Sequence, residues 1–361
     1  MSWLSQLIAQ HEFVFFTFVK IASVLGVLLT MVAYAVLVER KVSAWIQDRV
    51  GPNRVALPLV GALPVIGPLL TRIGFWQPLV DGVKAFIKED FAPAHVRKGW
   101  FSLAPAIAFV PAFLVIAVIP FGSKLGGQQM VIADLNVGIL YTFGIVSLGV
   151  YGIVLAGYAS NSKFPFLGGI RSSAQMISYE ISMGMSVIPV FLIAGDLNLG
   201  EIIRYQAQHG WLILYAPLSF LIFLVAAFAE TNRLPFDLPE AETELVGGYH
   251  TEYSSMRFGM FLIGEYAAMF AGTAMMVTLF FGGWTLPFWG LDKPAETLGM
   301  GLAHIGIFLA KMLGLMLVFI WTRWMLPRFR YDQLMDLGWR KFIPLALANI
   351  LATAVWLWMR A

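Results

Sequence analysis

The chain has 361 residues, no cysteine and a formal net charge of +3; 59% of its residues are hydrophobic and 12% are charged. Soluble proteins have about 25% charged residues, so this composition places the chain in a membrane. Because thiolates are missing, disulfides, thiolate zinc sites and cysteine-held iron–sulfur clusters are excluded. The sequence also has neither a Gly-x-Gly-x-x-Gly turn after a strand nor a P-loop, and we expect no nucleic-acid partner.

Eight segments are long and apolar enough to cross a bilayer, which takes about 20 apolar residues. The first lacks a basic leader and a small-residue cleavage site, so we interpret it as a retained helix. We therefore predict an all-α, polytopic membrane protein with about eight transmembrane helices, forming a single domain over residues 1–361. In chain order the segments are 13–38, 101–120, 137–158, 171–195, 211–231, 258–283, 301–323 and 342–359.

Lys and Arg are unevenly distributed between the two ends of these segments. The loops after the first, third, fifth and seventh segments hold eighteen of the 24, whereas the termini and the opposite loops together hold four. By the positive-inside rule, these four loops face the cytoplasm and both termini face outward. In a bacterial inner membrane, the termini would then lie in the periplasm.

Three glutamates, Glu180, Glu230 and Glu265, lie in or at the ends of the predicted spans. A charge at the bilayer centre costs about 2.5–3.5 kcal/mol on insertion scales, so such residues normally face the bundle interior. Counted from Arg171 and Arg257, Glu180 and Glu265 lie about 14 and 12 Å deep at 1.5 Å per residue. Partly shielded carboxylates can exchange protons near neutral pH, which predicts a stepwise proton path. The alternative is that each glutamate is a neutral, hydrogen-bonded packing residue.

The outward half of the spans offers little to continue such a path. Its only charged side chains are Lys20, which can snorkel to the interface, and Lys311, which could pair with an acid. The sequence therefore predicts a proton path that stops about halfway across the membrane.

The third long loop of the basic end, residues 232–257, is rich in acids instead. Asp237-x-x-Glu240, with Pro239 in the first turn, is typical of a helix start. Such a helix would place Glu240 and Glu244 on one face, where like charges repel by about 0.2–0.5 kcal/mol. The pattern indicates basic partners or shared protons, and a solvated surface is the alternative.

These motifs are similar to those of one known family. The chain resembles the H subunit of proton-pumping NADH:quinone oxidoreductase, respiratory complex I, whose mitochondrial counterpart is NADH dehydrogenase subunit 1. The matching strings occur in family order and cover all four basic loops. They are ERKV (39–42), RVGPNRV (49–55), QPLVDGVKAFIKED (77–90), ASNSK (159–163), LGGIRSSAQMISYE (167–180), AETNRLPFDLPEAETELVGGYHTEYS (229–254), GEYAAM (264–269) and PRFRYDQLM (327–335).

The resemblance implies a translocase component that joins a membrane arm to a peripheral arm. Its inward loops would close one side of a quinone chamber, and an acidic channel would lead away from that chamber. Quinone would be the bound substrate, while NADH, flavin and iron–sulfur clusters would belong to partner subunits. The implied partners are other membrane-arm subunits, the peripheral-arm subunits of the quinone site, and the lipid bilayer.

The family motifs assign two groups of residues and no catalytic or metal-binding residue in this chain. For Glu39 and Arg40, the alternative to a functional role is an ion pair at the membrane interface. For Arg328 and Arg330, the alternative is anchoring of lipid phosphate. The predicted quinone-binding residues are Arg40, Asp81, Lys84, Arg233, Phe236 and Asp237. The predicted proton path consists of Glu39, Glu180, Glu230, Glu240, Glu242, Glu244 and Glu265.

The first basic loop, residues 39–100, departs from the family pattern. The family usually has a short spacer after GPNRV, where this chain has residues 56–76, rich in Pro, Leu and Gly. We predict that this insertion forms an interfacial flap, followed by an amphipathic helix over residues 74–90. Asp81 and Lys84 are three apart on that helix, and they predict either an ion pair near the quinone or an ordinary surface pair.

Two other functions compete with this interpretation. The first is an independent proton-coupled carrier, which the lack of internal repeats and the half-length polar path disfavour. The second is the membrane anchor of an energy-converting hydrogenase, whose relatives share a weaker version of the acidic loop. The full-length GPNRV, TNRLPFD and PRFRYDQLM strings favour the quinone-linked function.

Overall fold

A computed structural model describes residues 3–56, 66–288 and 290–360, with side chains from residue 14 onward except those of Ile66 and Glu242. The predicted all-α class is confirmed, since the only strands in these ranges are β1 (Lys124–Leu125) and β2 (Gln128–Gln129). The helices are α1 (Trp3–Ile46), α2 (Ile66–Ile73), α3 (Gln77–Ile87), α4 (Lys98–Leu114), α5 (Gly138–Ala159), α6 (Lys163–Ala194), α7 (Leu199–His209), α8 (Pro217–Glu230), α9 (Glu242–Leu245), α10 (Ser255–Phe280), α11 (Leu298–Met325), α12 (Tyr331–Asp336) and α13 (Ile343–Trp358).

Seven helical segments in the described ranges are long and apolar enough to span a membrane, and the polytopic membrane class is confirmed. The fifth predicted span is a shorter apolar helix, α8, preceded by a 3₁₀ turn at Leu212–Leu214. The last span starts at Tyr331 instead of residue 342, because a π-helical turn at Leu337–Phe342 joins α12 to α13. The charged side chains of Arg340 and Lys341 lower the local hydropathy, so hydropathy alone places the start of this span at residue 342.

Helices α6 and α10 form the centre of the bundle. In the most apolar 18-residue stretch of each helix, 56% of the residues are buried in α6 and 67% in α10. The corresponding values are 22% for α1 and 11% for the α12–α13 segment. The core between α6, α8 and α10 includes Tyr179, Phe223 and Phe270. Helix α1 and the α12–α13 segment are therefore peripheral, and their apolar surfaces face lipid or other subunits.

Close packing of α4 against α5 depends on one glycine. A Cβ atom at Gly152 would lie 2.4 Å from the backbone nitrogen of Ala108, a distance that real structures do not show. The absence of a side chain therefore lets the two backbones approach, as small residues commonly do between membrane helices.

The four basic loops meet at one end of the bundle, which we call the motif end (residues 47–56, 66–97, 160–162, 231–254 and 326–330). The backbone nitrogen of Arg97 donates to Ala159 O at 2.9 Å, and the Phe91 nitrogen donates to Ser254 Oγ at 3.0 Å. The Phe329 nitrogen donates to Pro235 O at 3.1 Å. Tertiary hydrogen bonds thus join segments that are far apart in sequence into one surface.

The first of these loops is shorter than predicted, since α1 continues to Ile46 and α4 starts at Lys98. The predicted amphipathic helix is present as α3, and α2 precedes it. Lys41 Nζ holds the end of α2 against α1 by donating to Arg72 O at 3.1 Å. Residues 57–65 of the predicted flap lie outside the described residues.

At the opposite end, Lys311 pairs with no acid among the described side chains, contrary to the expectation. Its ammonium group donates to three backbone carbonyls, Phe281 O at 2.7 Å, Gly283 O at 3.0 Å and Thr285 O at 2.6 Å. It also lies 4.7 Å from the ring centre of Trp211. A cation near the C-terminus of α10 is favourable because the terminal carbonyls carry partial negative charge.

Candidate functional site

A buried network of charged residues lies where α1, α10 and α11 meet the acidic loop. Arg233 Nε is 2.5 Å from Glu265 Oε1, and Arg233 Nη1 is 3.6 Å from Glu39 Oε1. Arg323 from α11 also forms an ion pair with Glu39, and the Tyr266 hydroxyl donates to the other oxygen of Glu39. Two arginines thus balance the charges of two largely buried carboxylates, and a phenol donates a hydrogen bond to one of them.

Arg233 is the centre of this network. It is only 6% exposed, and its guanidinium carbon lies 4.4 Å from the ring centre of Tyr266. Burial disfavours the charged form, but Glu265 and the neighbouring groups outweigh burial and raise the pKa of Arg233. Its Nη2 atom has no hydrogen-bond partner among the described residues, so the N–H groups of Nη2 remain for a ligand or a water molecule.

Local structure explains how these side chains converge. Because α1 continues beyond its predicted end, Glu39 sits on a rigid helix and is 7% exposed. Glu265 and Tyr266 are consecutive on α10, about 100° apart around the helix, so they approach Arg233 from two sides. Arg233 itself lies three residues after Glu230, the last residue of α8.

The acidic loop is held in place by a buried amide. Gln175 Nε2 on α6 donates to Ala229 O at 2.7 Å and to Phe236 O at 2.9 Å. The Phe236 ring packs against Phe329, with ring centres 5.4 Å apart, and is 4% exposed. The first part of the loop, residues 231–241, is therefore part of the packed interior and not a solvated segment.

The prediction that a helix begins around Asp237–Glu240 is wrong. Helix α9 spans only Glu242–Leu245, and Glu240 and Glu244 contact different partners. Glu240 accepts a hydrogen bond from the Tyr249 hydroxyl at 3.0 Å, whereas Glu244 pairs with Arg171 at 2.6 Å. Contacts with a later residue of the loop, Tyr249, and with Arg171 on α6 override the local helix signal. The side chain of Glu242 lies outside the described part of the structure.

Two loop acids have shifted pKa values of opposite direction. Burial, reinforced by Glu240, raises the pKa of Asp237 to about 6, although Arg328 at 3.1 Å opposes the shift. Burial also acts to raise the pKa of Glu240, but the hydrogen bond and charge of His250 outweigh it, and the pKa is lowered. Burial raises the pKa of Tyr249 well above its usual value, so its hydroxyl remains a donor.

A cavity of about 110 Å³ lies between α4, α5, α6, α8 and α10. Most of its lining is apolar. Its polar lining near the motif end includes Glu230, Thr231, Asn232, Tyr249 and Glu265. Glu265 therefore belongs to both the charged network and the cavity lining, and Glu230 lines the same cavity.

Glu180 lies outside the cavity lining, on α6, which packs against α8. It is partly buried and interacts electrostatically with Glu230. No ion pair to Glu180 or Glu230 is present in residues 14–56, 66–288 and 290–360. These two carboxylates, unlike Glu39 and Glu265, have no fixed countercharge in the described structure.

The residues near α3 pair differently from the sequence prediction. Asp81 contacts Arg40 at 2.7 Å and Gln77 at 2.9 Å, and not Lys84, which is exposed. Because Arg40 comes from α1, the pair joins two elements instead of adjacent turns of α3. The alternative pair of Glu39 with Arg40 is also wrong, since Glu39 points into the buried network. Arg328 likewise binds Asp237, so it is not free as a lipid anchor.

Sequence reasoning missed four residues of the site: Tyr266, Arg323, Tyr249 and Gln175. Tyr266 follows Glu265 in the GEYAAM string, and a buried acid beside a tyrosine is a usable signal. Gln175 was detectable only as an amide inside an apolar helix. Nothing in the local sequence of Arg323 distinguishes it from an interfacial arginine.

Comparisons with known proteins agree with these motifs. A sequence model of the family described as NADH dehydrogenase matches residues 19–354. The chain is 46% identical over 351 residues to an NADH-quinone oxidoreductase H subunit of Cytophaga hutchinsonii, covering 95% of this chain and 96% of the relative. It is 49% identical over 345 residues to an H subunit of the same enzyme from Geobacter metallireducens, covering 94% and 95%. It is also 46% identical over 341 residues to NADH-quinone oxidoreductase subunit 8 of Rhodothermus marinus, covering 92% and 94%.

Proposed function

The chain belongs to the NADH dehydrogenase family, as a membrane H subunit of the multi-subunit NADH-quinone oxidoreductase, and we propose that it couples quinone reduction to proton movement. In this proposal, the motif end forms one wall of the quinone chamber. Buried carboxylates then transmit the change in charge into the membrane. The redox groups belong to other subunits, as expected for a chain without cysteine.

One observation carries the proposal: Arg233 lies between Glu39 and Glu265 at the boundary of the motif end and the apolar cavity. A quinone head group gains negative charge when it is reduced. That charge competes with Glu39 and Glu265 for the buried guanidinium groups. A carboxylate that loses its countercharge in a shielded site binds a proton more readily.

Protons bound in this way can move toward Glu230 and Glu180, which have no fixed countercharge in the described structure. The residues proposed to face the quinone are Arg40, Asp81, Lys84, Arg233, Phe236 and Asp237. The residues proposed for the proton path are Glu39, Glu180, Glu230, Glu240, Glu242, Glu244 and Glu265. With the motif end in the cytoplasm and the termini in the periplasm, the path starts on the cytoplasmic side.

A quinone photo-crosslink in the purified complex tests the chamber. We expect an azido-quinone to label peptides from residues 39–100 and 232–257, and excess unlabelled quinone to suppress this labelling. Both regions contribute residues around the buried network. Labelling confined to the lipid-facing α13, or labelling that unlabelled quinone does not reduce, would contradict the proposal.

Asp237→Asn should change the pH dependence of quinone reduction. In the wild type, Asp237 becomes neutral as the pH falls through about 6, which leaves Arg328 without its countercharge. We therefore expect wild-type turnover to decline below that pH. In the variant this limb should be missing, and turnover should be low at every pH.

The measurement is turnover between pH 5 and 8 with a long-chain quinone. Asp332→Asn is a matched control because Asp332 forms an exposed pair with Arg330 in the same region. A variant profile with the same limb as the wild type would assign that titration to another group.

A further inference from the structure

The central cavity has the composition of a binding site for a small cation with an apolar body. Its walls come from five helices and carry alanine, valine, methionine and phenylalanine side chains, including Met176, Met183 and Met275. Methionine side chains adapt to ligands of different shape. Phe223 and Phe261 add aromatic rings, which attract cations as well as apolar groups.

The charge balance of the lining favours a cation. Glu265 is compensated by Arg233 at 2.5 Å, whereas Glu230 has neither an ion pair nor a side-chain hydrogen bond in the described structure. The nearby Glu180 adds charge of the same sign. A carboxylate in an apolar cavity is stabilised either by a proton or by a cationic partner. A ligand that carries a cation on an apolar chain would satisfy both the carboxylate and the walls.

The volume limits the size of that ligand. An apolar cavity of about 150 Å³ holds benzene. A cavity of about 110 Å³ therefore suits an alkyl chain of about four carbon atoms. We propose that this cavity binds short primary alkylammonium ions, with the ammonium group at Glu230 and the alkyl chain among Met183, Phe223 and Met275.

This proposal does not rest on quinone chemistry, so its test measures binding directly. The probe is a four-carbon primary ammonium ion that carries an aliphatic diazirine, and the matched alcohol is its uncharged counterpart. After irradiation of the purified complex, we expect the ammonium probe to label peptides from α6, α8 and α10. Labelling by the alcohol should be about tenfold weaker. Excess butylammonium should suppress the labelling.

Glycine variants locate the site without touching the charged residues. A Cβ at Gly149 or Gly272, both in the cavity lining, meets no atom within 4 Å. Gly272→Leu and Gly149→Leu, on different helices, should therefore fill the cavity and reduce labelling about tenfold. Gly184→Leu is the control, since Gly184 has the same free space but lies outside the lining.

Glu230→Gln should remove the preference for the ammonium probe, so that the two probes label equally. Three results would overturn the proposal: equal labelling by both probes in the wild type, labelling spread over the lipid-facing helices, or labelling unchanged in both cavity-filling variants. A complex that labels as expected but fails to reduce quinone would leave this site intact and contradict only the proposed function.

Discussion

Arg233→Met is expected to reduce quinone reduction by the assembled complex at least about tenfold, a loss of about 1.4 kcal/mol or more in transition-state stabilisation. The substitution leaves Glu265 without its ion-pair partner at 2.5 Å. Removing one member of a buried pair costs about 3–5 kcal/mol because the other charge stays buried. Glu39 is affected less, since Arg323 still contacts it.

The measurement compares NADH oxidation by quinone with NADH oxidation by a soluble acceptor that bypasses the quinone site. Only the first rate should fall, and native electrophoresis should show an assembled complex. Arg330→Met is the matched control, because Arg330 forms an exposed pair with Asp332 at the same end. The double variant Arg233→Met, Glu265→Gln removes both charges and should recover assembly if the single variant impairs it.

Two results would change the interpretation of Arg233. Normal quinone turnover in Arg233→Met would exclude its role in the chamber. Failure of the complex to form in both the single and the double variant would make the role of Arg233 structural.

Glu180→Gln is expected to leave assembly intact and to lower coupled quinone reduction roughly tenfold, which corresponds to about 1.4 kcal/mol of barrier. Glutamine has nearly the same shape as glutamate but cannot carry a proton. Glu180 is partly buried on α6 and has no ion pair in the described residues, so its packing should tolerate the change. The proton step beside Glu230 would then become slow.

Turnover and the pH gradient are measured together in proteoliposomes, with and without an uncoupler. Glu201→Gln serves as the control, since Glu201 is 43% exposed and pairs with Arg204 at the surface. We expect the control to retain both activities. Normal turnover and normal pumping in Glu180→Gln would mean that Glu180 is a packing residue.

The membrane class, the approximate positions of the spans and the family all followed from the sequence alone. Hydropathy is a sum over neighbouring residues, so each span is visible locally. The motif strings also pointed to Arg233, Glu39 and Glu265, which meet in the buried network, and to Glu230 in the cavity lining, but not to Arg323. The boundaries were less accurate because α1 continues through ERKV to Ile46, where charged residues lower the local hydropathy.

Only the tertiary structure decided which of these groups meet. Glu39 and Arg323 are 284 residues apart in sequence, and Arg40 reaches Asp81 across 41 residues. Local patterns predicted an ion pair of Asp81 with Lys84 and a helix that begins at Asp237. In both places, contacts with residues from other elements determine the structure instead. The energy of a buried charge depends on the atoms around it after folding, and no window along the chain contains those atoms. For the same reason, the cavity beside Glu230 and the three carbonyls around Lys311 could be found only in the folded bundle.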